Sequence, residues 1–290
     1  MAVEEPRKSV AVLGAGLIGI DLADKVRKSK RLELRLVAGR SRQSLGLERA
    51  ADMGCPTASG GIASLLESGP FDVVFDASNA DVHAGHWAAL RDTGTTLIDL
   101  TPTRLGTVIV PTVNGDQAAA QQHINLVSCG GQAAIPLLHA VVQHCTPTYI
   151  ELVSTGASAS AGRATRLNLD QYIATTQAAI RSFTHVSDVK VLVNLSPARP
   201  APPFRVVMTV LAPDASPSLV GAAVTSAAEE VRAFAPGFTV TSVDVHDGRI
   251  SVAVDVTATG GRIPGYAGNL DIINGAALLL AEQHAAALSR

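Results

Sequence analysis

Aromatic side chains are scarce in this chain: one Trp, three Tyr and six Phe amount to 3% of 290 residues. A core without them has to be filled by Ala, Val, Leu and Ile, the usual filling of an α/β protein, and 47% hydrophobic residues place the chain among folded proteins. Charge is sparse as well. With 17% charged residues and a formal net charge of -2 there is no basic field, and no Lys/Arg run is interleaved with aromatics, which sets nucleic acid aside as a partner. No apolar run reaches the length needed to span a bilayer, and residues 1–9 are polar and acidic where a leader would be basic and then apolar. The expectation is therefore a soluble, cytoplasmic protein with no membrane partner. Cysteine is rare too: Cys55, Cys129 and Cys145, an odd number at wide spacings, fit free thiols in a reducing compartment and not a disulfide framework.

What the sequence does contain is a repeated texture. A length of 290 residues leads us to expect two domains. The apolar run 9–13, a glycine-rich turn, and apolar positions at helical spacing over 17–26 read as strand, turn and helix. Further buried strands at 32–38, 71–75, 95–98 and 124–127, with a helical pattern over 81–91, predict a Rossmann-type α/β domain whose parallel sheet is covered on both faces. After Thr146-Pro147 the texture changes. Residues 149–155, 190–195, 205–211, 238–245 and 249–256 read as longer strands, several alternating in polarity, and 169–183 and 216–234 as helices. This is the pattern of an α+β second domain with a largely antiparallel sheet, one face of which the helices cover. Prolines at 197, 200, 202 and 203 make 197–203 a loop. A long apolar helix over 269–288 is expected to return to the first domain, giving a dinucleotide-binding domain of 1–146 with 267–290 and a substrate and dimerisation domain of 147–266.

Gly14-Ala15-Gly16-Leu17-Ile18-Gly19 fits the dinucleotide fingerprint. Its glycines permit a tight turn, close approach of a pyrophosphate and close packing of helix on strand. Its place, after an apolar strand and at the start of an amphipathic helix, aims free N–H groups at a phosphate. Some 20 residues on, an NAD-binding fold carries an acidic residue for the adenosine ribose, but here the end of the second strand reads Arg40-Ser41-Arg42. A guanidinium accepts no hydrogen bond, whereas it can pair bidentately with a 2′-phosphate, so NADP is expected over NAD.

Cys129 follows a buried strand and precedes a helix expected from about Gln132, with Pro136 in its first turns. A thiol at a helix start is drawn toward thiolate by the orphan N–H groups and the macrodipole, and the same amides can steady an oxyanion. Gly130 and Gly131 leave room for a substrate. Cys129 is thus the candidate nucleophile, while Cys55, in a Gly-Cys-Pro turn, and Cys145, near a helix C-terminus, are expected to be inert. His83 and His86 share one helical face with no evident Cys or acidic partner at ligand spacing; they are expected to be an exposed pair, and no metal is predicted.

Four segments carry a resemblance over the whole chain: Leu97 to Pro102, Val127 to Pro136, Ser160-Ala161-Gly162 with Thr165-Arg166 and Asn168, and Tyr266 to Ile272. With these in this order the chain resembles the acylating acetaldehyde dehydrogenases of aromatic meta-cleavage catabolism. The resemblance implies that the Cys129 thiolate attacks an aldehyde, that a nicotinamide oxidises the adduct, and that coenzyme A captures the thioester. It also implies cofactor contacts from the glycine loop, from Ser160, Ala161, Gly162, Arg163, Ala164, Thr165, Arg166, Leu167 and Asn168, and from Asn269. From the residues alone 160–168 reads as a polar loop and Asn269 as a helix cap. A homodimer or higher homo-oligomer is implied, and an aldolase partner, although the chain stops sooner after its last helix than its relatives do.

Several positions depart from the family pattern. Arg40 stands where an acidic residue is usual, Arg163-Ala164 where Pro-Gly is usual, and Val207-Met208 where an Arg-Asp pair is usual. Two other readings share parts of the pattern. A phosphorylating semialdehyde dehydrogenase has the same two-domain plan and nucleophilic Cys, but His139 and His144 do not stand in its motif. A non-catalytic NADP sensor would use its second domain to bind a partner.

Overall fold

The computed structural model describes residues 7–260 and 262–287. The chain divides into two compact units, residues up to Leu126 together with those from Ala276 on, and Val127–Gly275.

In the first unit β1 (Lys8–Leu13), β2 (Leu32–Gly39), β3 (Thr57–Ser59), β4 (Val73–Asp76), β5 (Thr96–Asp99), β6 (Thr107–Ile109) and β7 (His123–Leu126) form one sheet, ordered β3-β2-β1-β4-β5-β7-β6. All its pairings are parallel. Its central strands are unbroken apolar runs with Val10, Val12, Val73, Val74, Leu97 and Ile98 fully buried, as a sheet covered on both faces requires. The helices between are α1 (Leu17–Lys28), α2 (Leu45–Asp52), α3 (Ile62–Ser68), α4 (Ala80–Leu90) and α5 (Pro111–Asn114). Leu22, Ala23 and Val26 bury one stripe of α1, while on its flank Lys25 and Lys28 reach Asp21 and Asp24 one turn back, at 3.2 and 2.6 Å. The strand order reverses between β1 and β4, and a doubly wound sheet takes its ligands at the carboxyl ends of such a pair.

The second unit holds α6 (Cys129–Val141), β8 (Tyr149–Ala157), α7 (Arg163–Leu167), α8 (Leu169–Thr184), β9 (Val189–Ser196), β10 (Phe204–Leu211), α9 (Pro217–Arg232), β11 (Phe238–His246) and β12 (Arg249–Val256). Its sheet runs β11-β12-β10-β8-β9 and is antiparallel except between β8 and β9. That parallel pair needs a crossover, and α7 and α8 provide it. The β11–β12 hairpin closes on Asp247-Gly248, both at positive φ (48° and 71°), the two-residue turn that right-twisted strands favour. Strand alternation sorts the sheet into two faces: Val206, Met208, Val210, Ile250, Val252 and Val254 are buried, and Arg205 and Asp255 pair on the other side at 2.7 Å.

α6 packs on α8, α9 and β10, so this unit begins at Val127, ahead of the change of texture at Thr146-Pro147. α6 also begins earlier than the sequence suggests, at Cys129. Pro136 consequently lies in the helix interior and not in its first turns, and the Gln132 carbonyl has no amide one turn on to accept from. The last helix, α10 (Gly268–Ala287), starts in the second unit, and its end belongs to the first. There Ser29 Oγ donates to Glu282 at 2.5 Å and His284 Nε2 lies 2.9 Å from Thr96 Oγ1.

Candidate active site

The turn after β1 is built for close approach. Gly14 sits at φ +116°, where a side chain is strained, and a Cβ there would lie 2.5 Å from the Ala77 carbonyl oxygen on the loop after β4. A Cβ on Gly19 would run into the Gly14 carbonyl, so α1 can lie this close to β1 only with glycine there. At Gly16 the opposite holds: a Cβ would meet nothing within 4 Å. Gly16 caps α1 without any side-chain hydrogen bond, leaving that helix start backbone-lined and open. The three glycines therefore fit the roles a pyrophosphate site asks of them. Ala15 and Ile18 flank this turn half-buried, and Leu17 is exposed. Arg40, Ser41 and Arg42 follow β2 directly and are all exposed, with Ser41 Oγ accepting from Gln43 N at 3.2 Å.

His83 and His86 are buried, contrary to the expectation of an exposed pair, and the acidic partner the sequence did not reveal is Asp76. Its Oδ2 lies 2.7 Å from the Nδ1 atoms of both rings, and its Oδ1 accepts from Ser78 N and Oγ. β4 ends on Asp76, and the first turns of α4 bring the two histidines back over it. His83 Nε2 lies 2.8 Å from His123 Nε2 and 3.2 Å from Asp99 Oδ2, and Asp99 is itself held by Thr101 N, Thr103 and Asn125. Burial pushes Asp76 up, but hydrogen bonds from His83, His86 and Ser78 together with the charge of His86 hold it well below the usual carboxylate range. Burial pushes Asp99 up to about 6 and His123 down to about 4, whereas His83 is raised, its burial outweighed by Asp76 and Asp99. His83, Asp99 and His123 offer three donor atoms within 4.8 Å of one another. However, the ring centroids of the two histidines lie 5.0 Å apart, close to the separation of two rings whose Nε2 atoms point straight at each other across 2.8 Å. A shared proton fits that head-on geometry; a metal ion needs lone pairs that converge on a common point.

In the second unit, Ser128 caps α6 and Cys129 is its first residue. Ser128 Oγ accepts from Gly131 N at 3.1 Å and lies 2.7 Å from Thr176 Oγ1. Since Thr176 Oγ1 donates to the Tyr172 carbonyl at 2.6 Å, Ser128 is the donor in that pair. Cys129 Sγ is 3.4 Å from Tyr172 Oη, and Gly130 N donates to the same oxygen at 3.0 Å. Burial pushes the Cys129 thiol up, and Tyr172 and the N–H groups of Gly130 and Cys129 pull it down by less. Desolvation therefore works against the helix start at Cys129. One turn on, Gln132 is fully buried, and neither of its amide atoms has a hydrogen-bond partner among the described residues. Of the other thiols, Cys55 is buried and Cys145 is raised by burial and by Asp214.

The structure brings part of the 160–168 segment together with Asn269. Asn269 Nδ2 donates to the Ser160 carbonyl at 3.4 Å, and its Oδ1 is buried without a hydrogen-bond partner among the described residues. Arg166 holds the same turn from the other side, donating to the Ala161 carbonyl at 3.2 Å and to Ser158 O at 2.7 Å. Gly162 and Thr165 are half-buried, Leu167 is exposed, and Asn168 is buried at the cap of α8. The side chains of Arg163 and Ala164 lie outside the described residues. The sequence reading missed Tyr172 and Thr176. Their only signal was a polar pair one turn apart on the stripe that also carries the buried Ala179 and Ile180.

A parallel dinucleotide-type sheet joined to a mixed-sheet unit is the architecture of the semialdehyde dehydrogenases. The crystal structure of aspartate semialdehyde dehydrogenase II complexed with ASA from Vibrio cholerae matches with a TM-score of 0.65 over 98% of both chains, and at 13% identity the likeness is one of fold. Residues 129–264 match the family model described as prokaryotic acetaldehyde dehydrogenase, dimerisation. An acetaldehyde dehydrogenase of Streptomyces griseus is 50% identical over 96% of this chain and 90% of its own length. One of Burkholderia pseudomallei strain K96243 is 39% identical over 99% and 98%. The chain belongs to the acetaldehyde dehydrogenase family.

Proposed function

We propose that this chain interconverts an aldehyde and its acyl-CoA, with Cys129 carrying the acyl group as a thioester and the nicotinamide dinucleotide held by the Gly14–Gly19 turn. The observation that carries the reading is the Cys129 sulfur on the first residue of α6, with the Gly130 amide and the Tyr172 phenol beside it. In the oxidative direction the thiolate adds to the aldehyde carbon, an S–C bond forms, and the carbonyl oxygen takes the charge within reach of Gly130 N–H. When bound, the nicotinamide supplies the two-electron acceptor that turns this adduct into a thioester. Cys129 keeps the acyl group activated, so the thiol of coenzyme A displaces it and returns the cysteine sulfur as thiolate. Ser160 and Asn269 are the residues that the family resemblance implies for cofactor contact, and Asn269 Oδ1, with no hydrogen-bond partner among the described residues, has capacity to spare. Self-association through residues 129–264 accords with the family description of that region.

The test is a trapping experiment. With acyl-CoA and no reduced cofactor, mass spectrometry should find one acyl group on the peptide containing Cys129; acylation at Cys55 or Cys145, or none at all, sinks the reading.

Arg40 bears on cofactor choice. It is exposed directly after β2, where a 2′-phosphate would lie, and a hydrogen bond to a charged group contributes about 1.5–3 kcal/mol. Arg40→Asp should therefore lower the kcat/KM ratio of NADP over NAD by about tenfold or more. A ratio that does not move removes Arg40 from the argument.

A further inference from the structure

The environment of Cys129 contains a group that neither the family resemblance nor the fold assigns. Tyr172 Oη accepts the Gly130 N–H at 3.0 Å, so its own proton is directed elsewhere, and the Cys129 sulfur lies 3.4 Å away, within hydrogen-bonding range for sulfur. We propose that Tyr172 is a catalytic residue: its hydroxyl donates to the Cys129 sulfur as charge develops there and covers the Gly130 N–H until a substrate oxygen replaces it. This rests on Cys129 being the nucleophile.

Three features of the second unit support the assignment. First, a Cβ on Gly130 would lie 2.7 Å from Tyr172 Oη, so the absence of a side chain at 130 is what admits the phenol to the amide. Second, the phenol is held by its own turn of α8. The Tyr172 carbonyl accepts from Thr176 Oγ1, Thr176 accepts from Ser128 Oγ, and Ser128 accepts from Gly131 N, which fixes both sides of the Cys129 turn to the same helix. Third, Tyr172 is buried, and burial together with the nearby sulfur keeps it far above its ordinary range, so it remains an O–H donor at any working pH and cannot compete as a base. In a site where burial disfavours the thiolate, a fixed neutral donor offsets part of that cost without bringing in a second charge.

The step itself is balanced. The thiol proton leaves to solvent, the sulfur's electron pair forms the S–C bond, and the carbonyl π electrons move to oxygen. The Tyr172 hydroxyl hydrogen bond, no longer needed by a neutral thioether sulfur, and the uncovered Gly130 N–H are then the two donors nearest the new oxyanion.

The experiment follows iodoacetamide alkylation at Cys129 itself, read by mass spectrometry from pH 6 to 10 on the full chain. In Tyr172→Phe the alkylation profile should move up by about one pH unit, which is about tenfold slower reaction near neutrality. Replacing the tyrosines at 149, 172 and 266 with 3-fluorotyrosine makes the phenol a stronger donor, so the profile should move down. This second measurement decides the matter if Tyr172→Phe does not fold. A profile that is unmoved or moves down in Tyr172→Phe, or an unmoved one in the fluorinated protein, overturns the assignment. If Cys129→Ser keeps full activity, the nucleophile reading itself fails; if Cys129 is required and the profiles do not move, only the role of Tyr172 fails.

Discussion

Cys129→Ser should reduce kcat/KM for acyl-CoA-dependent oxidation of NADPH or NADH by about 10⁴-fold or more, as loss of a covalent nucleophile does elsewhere. The substitution is close to isosteric at the first residue of α6, and the Ser128 cap, the Gly130 N–H and the Tyr172 hydroxyl keep their places. What changes is the nucleophile. A serine hydroxyl ionises far less readily than a thiol, and burial at this position already pushes the thiol up. An oxygen ester, even if formed, gives up its acyl group to coenzyme A far more slowly than a thioester. The glycine turn belongs to the other unit, so NADPH binding followed by fluorescence should be unaltered. A variant within tenfold of the parent in initial rate, or one that has lost cofactor binding, would contradict the assignment.

Asp76→Asn should destabilise the first unit by about 3–5 kcal/mol, the usual cost of removing one partner from a buried ion pair, and lower its melting temperature by about 10 °C. Asp76 accepts from Ser78 and sits against both His83 and His86, and neither its carboxylate nor the His83 ring is exposed. An amide can accept at one atom only and turns an N–H toward one of those donors. The effect should depend on pH in a defined way. Asp76 is depressed from 3.8, so its contribution is present above about pH 4 and is lost as the pH falls through its folded value. His83 is raised from 6.5, so its contribution is complete below 6.5 and is lost as the pH rises through its folded value. The difference between parent and variant should thus be largest between about pH 4 and 6.5 and should shrink above neutrality. Melting curves at several pH values test this; a difference that is constant, or that grows with pH, is the contrary result.

The strands of the first unit were legible because parallel strands buried on both faces leave unbroken apolar runs such as 10–13 and 73–75. The short β3 and β6 and the helices α2 and α3 were not, since three to eight residues carry too little period to stand out. In the second unit alternation marked several of the strands, but the parallel pairing of β8 with β9 depends on which neighbour a strand finds, and a periodic pattern does not carry that. Cys129 and the glycine turn could be placed because each joins a residue type to a helix start. The surroundings of Cys129 could not. Tyr172 meets it across 43 positions, and Asp76 meets its histidines only because β4 ends where α4 turns back. Pro136 shows the same limit in reverse: a proline normally marks a helix start, yet α6 had already begun seven residues earlier at a thiol.

The burial that raises the Cys129 thiol has a consequence for the lifetime of the protein. Peroxide attacks the thiolate and climbs from sulfenic to irreversible sulfinic acid. A raised thiol offers oxidants fewer thiolates, so Cys129 should resist peroxide and react slowly with simple alkylating agents for the same reason.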